Sequence, residues 1–280
     1  SLSTDAARSA AGWTLLRVVL ALLIAAHGWA RLVHGGVVPF GDWLLTHDKL
    51  RAKADDALRS LADRESVVVA FPNGYSRWPG DKLATWNAGH CCGDARDKAI
   101  DDVAFARAVV ADIGSRTAID PDRVYATGMS NGGMMSYRLA CEASDVFRAI
   151  AAVAGTDGTT DCRPGRPVPV LHIHARDDDR VLFNGGSGSA SDTHADFVSV
   201  PATVDKWARL NRCSGPAQRV LDKPGVVCVV RSGCAGGAEV RLCVTDSGGH
   251  AWPGGRKALA DHGARKGGHA LRLARLLPGA

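Results

Sequence analysis

An α/β fold with a mainly parallel sheet is predicted by two observations on this 280-residue chain. Helical and strand patterns alternate from about residue 45 onward, and the strands are continuous apolar runs, which are expected where helices cover both faces of a sheet. Length and composition agree. A chain of this size buries a large core as one domain, and 46% hydrophobic with 22% charged residues is ordinary globular composition.

Each element follows from its local pattern. "HDKLRAKADDALRSLADRES" (47–66) has apolar residues at helical spacing, and "VVVAFPNG" (67–74) is a β-branched run stopped by Pro and Gly. A loop rich in Gly, Trp and Cys follows (75–99), and "DDVAFARAVVADIGSR" (101–116) opens on two acids, as a helix N-terminus prefers. "RVYATG" (123–128) reads as a strand, "NGGMMSYRLACEA" (131–143) as a helix, and "FRAIAAVAG" (147–155) and "PVPVLHIHA" (167–175) as two further strands. "PATVDKWARLNRC" (201–213) is a helix with Pro in its first turn. "NGGSGSASD" (184–192) is a low-complexity surface loop, and "EVRLCVTDSGGHAWPGG" (239–255) is a strand with its loop.

Charge and cysteine usage narrow the function classes. The net charge of +5 is spread along the chain outside the tail, with no basic stripe interleaved with aromatics, so nucleic acid is not an expected partner. Eight cysteines (Cys91, Cys92, Cys141, Cys162, Cys213, Cys228, Cys234, Cys243) point to disulfides and an oxidising compartment, hence a secreted or periplasmic protein. Zinc ligands would need paired short spacings; "GHCCGD" and "HIH" at 172–174 are loose candidates without a CxxC pair, so no metal is expected. Cys228 and Cys243 sit on two β-rich runs that a hairpin would bring opposite each other.

The first 44 residues read as an atypical segment. An apolar run from Val18 to Ala26 follows Arg8 and Arg17, the layout of a signal peptide, and its nine residues are short for a membrane span. A signal peptide, a membrane-proximal helix with membrane contact, and an apolar helix packed on the domain are the readings for 13–30. Residues 13–43 also resemble the opening of DoxX-type membrane proteins. The expected organisation is therefore 1–44 as this segment, 45–256 as the catalytic domain and 257–280 as a basic C-terminal helix or tail.

The chemistry concentrates in Gly128-Met129-Ser130-Asn131-Gly132, a GxSxG sequence between an expected strand and an expected helix. Glycines two residues either side leave room for a sharp turn, and the turn holds the hydroxyl at a helix N-terminus with the Asn131 N–H aimed at a developing oxyanion. A serine hydroxyl needs a histidine base and a carboxylate. Asp177, Asp178 and Asp179 follow one strand end and His250 another, in the chain order Ser, acid, His of the α/β-hydrolases.

Three segments, "DDVAFARAVVADIGSRTAIDPDRVYATGMSNGGMMSYRLACEASDVFRAIAAVAG", "VLHIHARDDDRVLFNGG" and "GGHAWPGG", resemble the secreted α/β-hydrolase esterases related to polyhydroxybutyrate depolymerases and feruloyl or acetylxylan esterases, over about residues 58–256. The resemblance implies Ser130 as nucleophile, His250 as base and Asp178 as acid, with Asp177 and Asp179 as fallbacks. It also implies Trp86 and Trp252 near the substrate, and a Cys213 to Cys234 bridge; Cys91 or Cys92 would then join Cys141 or Cys162. The family's second oxyanion donor comes from an "LHG" turn after an early strand. Gly35 in "RLVHGGVV" is the nearest candidate, and if 13–30 is a signal or membrane helix, that strand is missing or replaced. The expected activity is that of a serine carboxylic-ester hydrolase without cofactor, a monomer acting on polyhydroxyalkanoate, feruloyl or acetyl esters. The alternative is a catalytically impaired hydrolase-fold protein tethered to a membrane.

Overall fold

The computed structural model describes residues 67–78, 83–193 and 195–253, together with the backbone of 16–22. Eight strands form one sheet: β1 (Leu16–Leu22), β2 (Val67–Ala70), β3 (Ile119–Met129), β4 (Ala149–Val153), β5 (Val170–Ala175), β6 (Ala217–Lys223), β7 (Val226–Arg231) and β8 (Val240–Thr245). Their spatial order is β2-β1-β3-β4-β5-β8-β7-β6. From β2 across to β8 every neighbouring pair is parallel, and β7 and β6 then continue the sheet antiparallel. The α-helices among the described residues are α1 (Gly93–Asp97), α2 (Asp102–Arg116), α3 (Asn131–Glu142) and α4 (Val200–Leu210).

Local chemistry explains where the helices start. The Asp101 side chain caps α2 by accepting from the Ala104 N–H at 2.9 Å, and Ser199 caps α4 by accepting from Ala202 at 3.2 Å. The strand read at 123–128 begins earlier, at Ile119, and β6, an exposed edge strand with little apolar pattern, is an element the sequence reading did not contain.

β4 and β5 are buried along their whole length, which accounts for their continuous apolar sequence. α3 packs on β3 and β4, and nearly all of its residues, among them Met134, Tyr137 and Leu139, are buried. Its glycines let it lie close to the sheet: a Cβ on Gly133 would come within 3.0 Å of the Val153 carbonyl oxygen.

Two expectations are corrected. Residues 16–22, read as part of a signal or membrane helix, form a strand between β2 and β3, with Val18 paired to Val68 and Val124. Its β-branched and apolar run suits a sheet interior as well as a bilayer, and residues 16–22 pair into the sheet. The remaining calls on 1–44, on the helix at 47–66 and on 257–280 lie outside the described residues. Among the described residues no helix is long and apolar enough to cross a membrane.

The second correction concerns the cysteines. Cys213–Cys234 and Cys228–Cys243 are bridged as expected, but Cys141 pairs with Cys162 and Cys91 with its neighbour Cys92. The β7–β8 register explains one of them, since it sets Cys228 directly opposite Cys243.

That bridge closes a loop with a sequence separation of 15, for which loop-closure entropy predicts about 3 kcal/mol of stability. Urea unfolding of a Cys228→Ala/Cys243→Ala double variant should show a loss of about this size.

Candidate active site

β3 ends at Met129 and α3 begins at Asn131, so one residue makes the entire strand-to-helix turn. Ser130 takes φ 56° and ψ −126°, a backbone conformation that L-residues rarely adopt and that costs about 1–3 kcal/mol. Two main-chain bonds hold it there: its N–H donates to Val153 O at 2.8 Å, and its carbonyl accepts from Met134 N at 3.0 Å. Crowding around the turn falls on Gly133 and on Gly155, where any Cβ would collide with the Ser130 carbonyl oxygen. Gly155 was not singled out in the sequence, although its place at the end of the "AIAAVAG" run, beside the elbow strand, was a usable signal.

Asn131 clamps the next loop. Its Oδ1 accepts from the Trp86 N–H at 2.6 Å and its Nδ2 donates to Trp86 O at 2.9 Å, both buried. Trp86, expected near the substrate, is 1% exposed and packs 6.2 Å from Phe105. Trp252, half-buried and packed against the apolar cluster of Val153, Ala154, Leu171 and Ile173, keeps an open side two residues after His250.

The loop after Trp86 rests on a residue the sequence reading used only as helix-capping charge. Buried Asp102 accepts from Asn87 N at 2.7 Å, and Arg138 from α3 donates to Asn87 O at 2.6 Å. Burial pushes the Asp102 carboxyl up to about 6, against the lowering pull of the Asn87 bond and Arg138.

Asp178 lies three residues beyond β5, and His250 five residues beyond β8, the strand paired with β5. The His250 Nδ1 sits 2.9 and 3.1 Å from the two carboxylate oxygens of Asp178. The loop amides of Arg180 and Val181 donate to Asp178 Oδ1 at 2.9 and 3.0 Å, and His174 Nε2 lies 3.3 Å from Oδ2. Burial alone would raise this carboxyl, but the hydrogen bonds from His174 and His250 outweigh it and hold it well below the usual carboxylate range. Of the three candidate aspartates, Asp178 is thus the one bonded to His250. Exposed Asp177 accepts from Gly249 N at 2.7 Å instead, which ties down the loop carrying His250.

Ser130, Asp178 and His250 follow β3, β5 and β8, all mutually parallel, so the three stand at the same C-terminal edge of the sheet. Gly35 lies outside the described residues. The open groove lined by Cys141, Arg148 and Arg166 is at the other end of α3, and Arg148 and Arg166 are engaged with Asp122 and with main-chain carbonyls. It is remote from the elbow.

Comparison with known proteins agrees with this fold. The chain matches the acetyl xylan esterase from Aspergillus awamori with a TM-score of 0.50 over 85% of this chain and 84% of that one, at 13% identity, a likeness of fold. In sequence it is 36% identical over 194 residues to feruloyl esterase B of Piromyces equi, covering 67% of this chain and 34% of that protein. The chain has the α/β-hydrolase fold and is similar in sequence to esterases. It is also 34% identical over 213 residues to the esterase NocK of Nocardia uniformis subsp. tsuyamanensis, covering 71% of this chain and 60% of that one. It therefore spans only part of either relative's length. The model of the prolyl oligopeptidase family matches residues 55–163.

Two outcomes follow for this α/β-hydrolase. Gly155→Ala should destabilise the fold by about 1–3 kcal/mol, as overpacking does, and displace the elbow, read as a lower Tm together with lost turnover. Asp102 binds its proton more tightly folded than unfolded, so its contribution falls as pH rises from about 4 to about 6, a loss of about 3 kcal/mol at most. Stability curves of wild type and Asp102→Asn across that range should differ in slope, with the variant flatter.

Proposed function

We propose that this α/β-hydrolase is a serine carboxylic-ester hydrolase working through an acyl-enzyme. The observation that carries the reading is the hydrogen-bonded pair of His250 and Asp178 at the same sheet edge as the strained Ser130 turn. Because the carboxylate can only accept, His250 holds its proton on Nδ1 and keeps Nε2 free as the base. Nε2 takes the Ser130 proton as Oγ attacks the ester carbonyl, and Asp178 stabilises the imidazolium. The proton then passes to the leaving alcohol, and water repeats the sequence to release the acid. The Asn131 N–H, at the start of α3 where helix amides lack intrahelical partners, is the oxyanion donor from the elbow.

β1 supports the enzyme reading over the impaired-enzyme alternative, since a strand precedes residue 23 and its Leu22 pairs with Gly128, level with the elbow. A second donor is expected from the chain beyond β1, for which Gly35 remains the sequence candidate.

The substrates favoured are feruloyl and acetyl esters, after the names of the relatives, with polyhydroxyalkanoate as a further candidate and Trp252 as the aromatic surface for the acyl group or sugar. Four disulfides suit a secreted or periplasmic protein. The reading requires no cofactor and assumes a monomer. Peptide cleavage is a second reading, favoured by the prolyl oligopeptidase match.

Turnover of p-nitrophenyl acetate should fall about a millionfold in Ser130→Ala or His250→Ala. Asp178→Asn should lose about ten-thousandfold, because an amide there favours the wrong tautomer of His250. Wild-type turnover no greater than that of Ser130→Ala removes the esterase reading. Product analysis on feruloylated xylan, acetylated xylan, a hydroxybutyrate oligomer and a peptide anilide would then assign the substrate.

A further inference from the structure

A second set of buried polar groups, besides His250, leads to Asp178. The Tyr137 hydroxyl lies 2.7 Å from His172 Nδ1, His172 Nε2 lies 3.1 Å from His174 Nδ1, and His174 Nε2 lies 2.8 Å from Val181 O and 3.3 Å from Asp178 Oδ2. All three side chains are essentially inaccessible, at 0, 0 and 1% exposed. The two imidazoles are i, i+2 neighbours on one face of β5, and their planes are parallel within 4°, as an in-plane N–H···N bond requires.

The proton positions follow from one end of this chain. His174 Nε2 faces a carbonyl oxygen and a carboxylate, both acceptors, so it must carry a hydrogen. In a neutral ring Nδ1 then accepts, so His172 Nε2 must donate to it. His172 Nδ1 is left as an acceptor, and the Tyr137 hydroxyl must donate. The reverse order would turn a nitrogen lone pair toward the Asp178 carboxylate. Burial, with His174 beside it, lowers the His172 pKa well below the ordinary value and favours its neutral form, while burial and the Asp157 charge keep the Tyr137 phenol protonated.

We propose that Tyr137, His172 and His174 are positioning residues of the active site: a one-way hydrogen-bond chain that delivers an N–H to Asp178 and ties the nucleophile helix to the acid. Tyr137 lies on α3, seven residues after Ser130 and on the helix that Ser130 caps, while His172 and His174 belong to the strand that ends beside Asp178. The chain thus spans the two elements whose relative placement fixes the distance between nucleophile and base. This inference rests on the triad reading for its effect on rate. Its tautomers stand independently of it.

Long-range 15N–1H spectra of the full-length, histidine-labelled protein test the tautomers directly. Both rings should carry their hydrogen on Nε2 and leave Nδ1 without one at neutral pH. An Nδ1–H form or an imidazolium at either position overturns the proposal, whatever the activity. In Tyr137→Phe the His172 signals should change, and unchanged signals would count against the chain. Kinetically, His174→Leu should lower kcat about a hundredfold with KM little altered, as expected when a reacting group is misplaced by about an ångström. His174→Gln, whose amide N–H can replace the Nε2 donor, should recover most of that loss. Equal kcat in the leucine and glutamine variants, with both folded by circular dichroism, refutes the positioning role. A wild type inactive on p-nitrophenyl acetate but showing the stated tautomers would remove the esterase reading and leave the chain intact.

Discussion

The molecule is organised around one backbone constraint: a strand becomes a helix across the single residue Ser130, at a φ of 56°. A non-glycine residue there is strained, and the strain persists only because surrounding groups over-determine it. The Ser130 N–H is held by Val153 on the neighbouring strand, α3 is drawn down over Gly133, and Gly155 leaves space for the Ser130 carbonyl. Asn131 extends the same control outward by gripping the main chain of Trp86, which brings the cysteine-containing loop over the start of the helix. The sharp turn that exposes the hydroxyl therefore also dictates which neighbours must be small.

The counterweight is the Asp178 anion. A buried carboxylate is costly unless it is well bonded, and this one is met by two loop amides, His250 and His174. These donors outweigh the cost of burial, which is why the carboxyl stays ionised far below neutral pH. Its contribution to stability is accordingly full above the ordinary carboxylate pKa and is lost only as pH falls well below it. Through His174 and His172 the anion is also connected to α3, so the two halves of the site share hydrogen bonds as well as the sheet.

Legibility in the sequence followed how local each signal was. The elbow, the helices with their caps and the buried strands β4 and β5 could be read because small residues, capping acids and apolar runs act within a few positions. Asp178 and His250 were readable as loop residues after strand ends, in the right order. Choosing Asp178 over Asp177 and Asp179 was a matter of resemblance until the structure showed which carboxylate meets His250 and which meets Gly249. Residues 16–22 were not legible as a strand, because an apolar β-branched stretch looks alike whether its partner is lipid, a helix or two neighbouring strands.

The sequence by itself determined an α/β fold with a sharp turn at Ser130 and with Asp178 and His250 in loops after later strands, since those depend on local sterics and strand-end placement. Only the tertiary structure decided that 16–22 pairs into the sheet, that Trp86 is buried, that Cys91 pairs with Cys92, and that the "HIH" histidines lie within hydrogen-bond distance of each other and beside Asp178. Each of those outcomes is a choice between partners far apart in the chain. Such choices are settled by which groups the packed sheet brings within hydrogen-bond distance, and no local pattern carries that information.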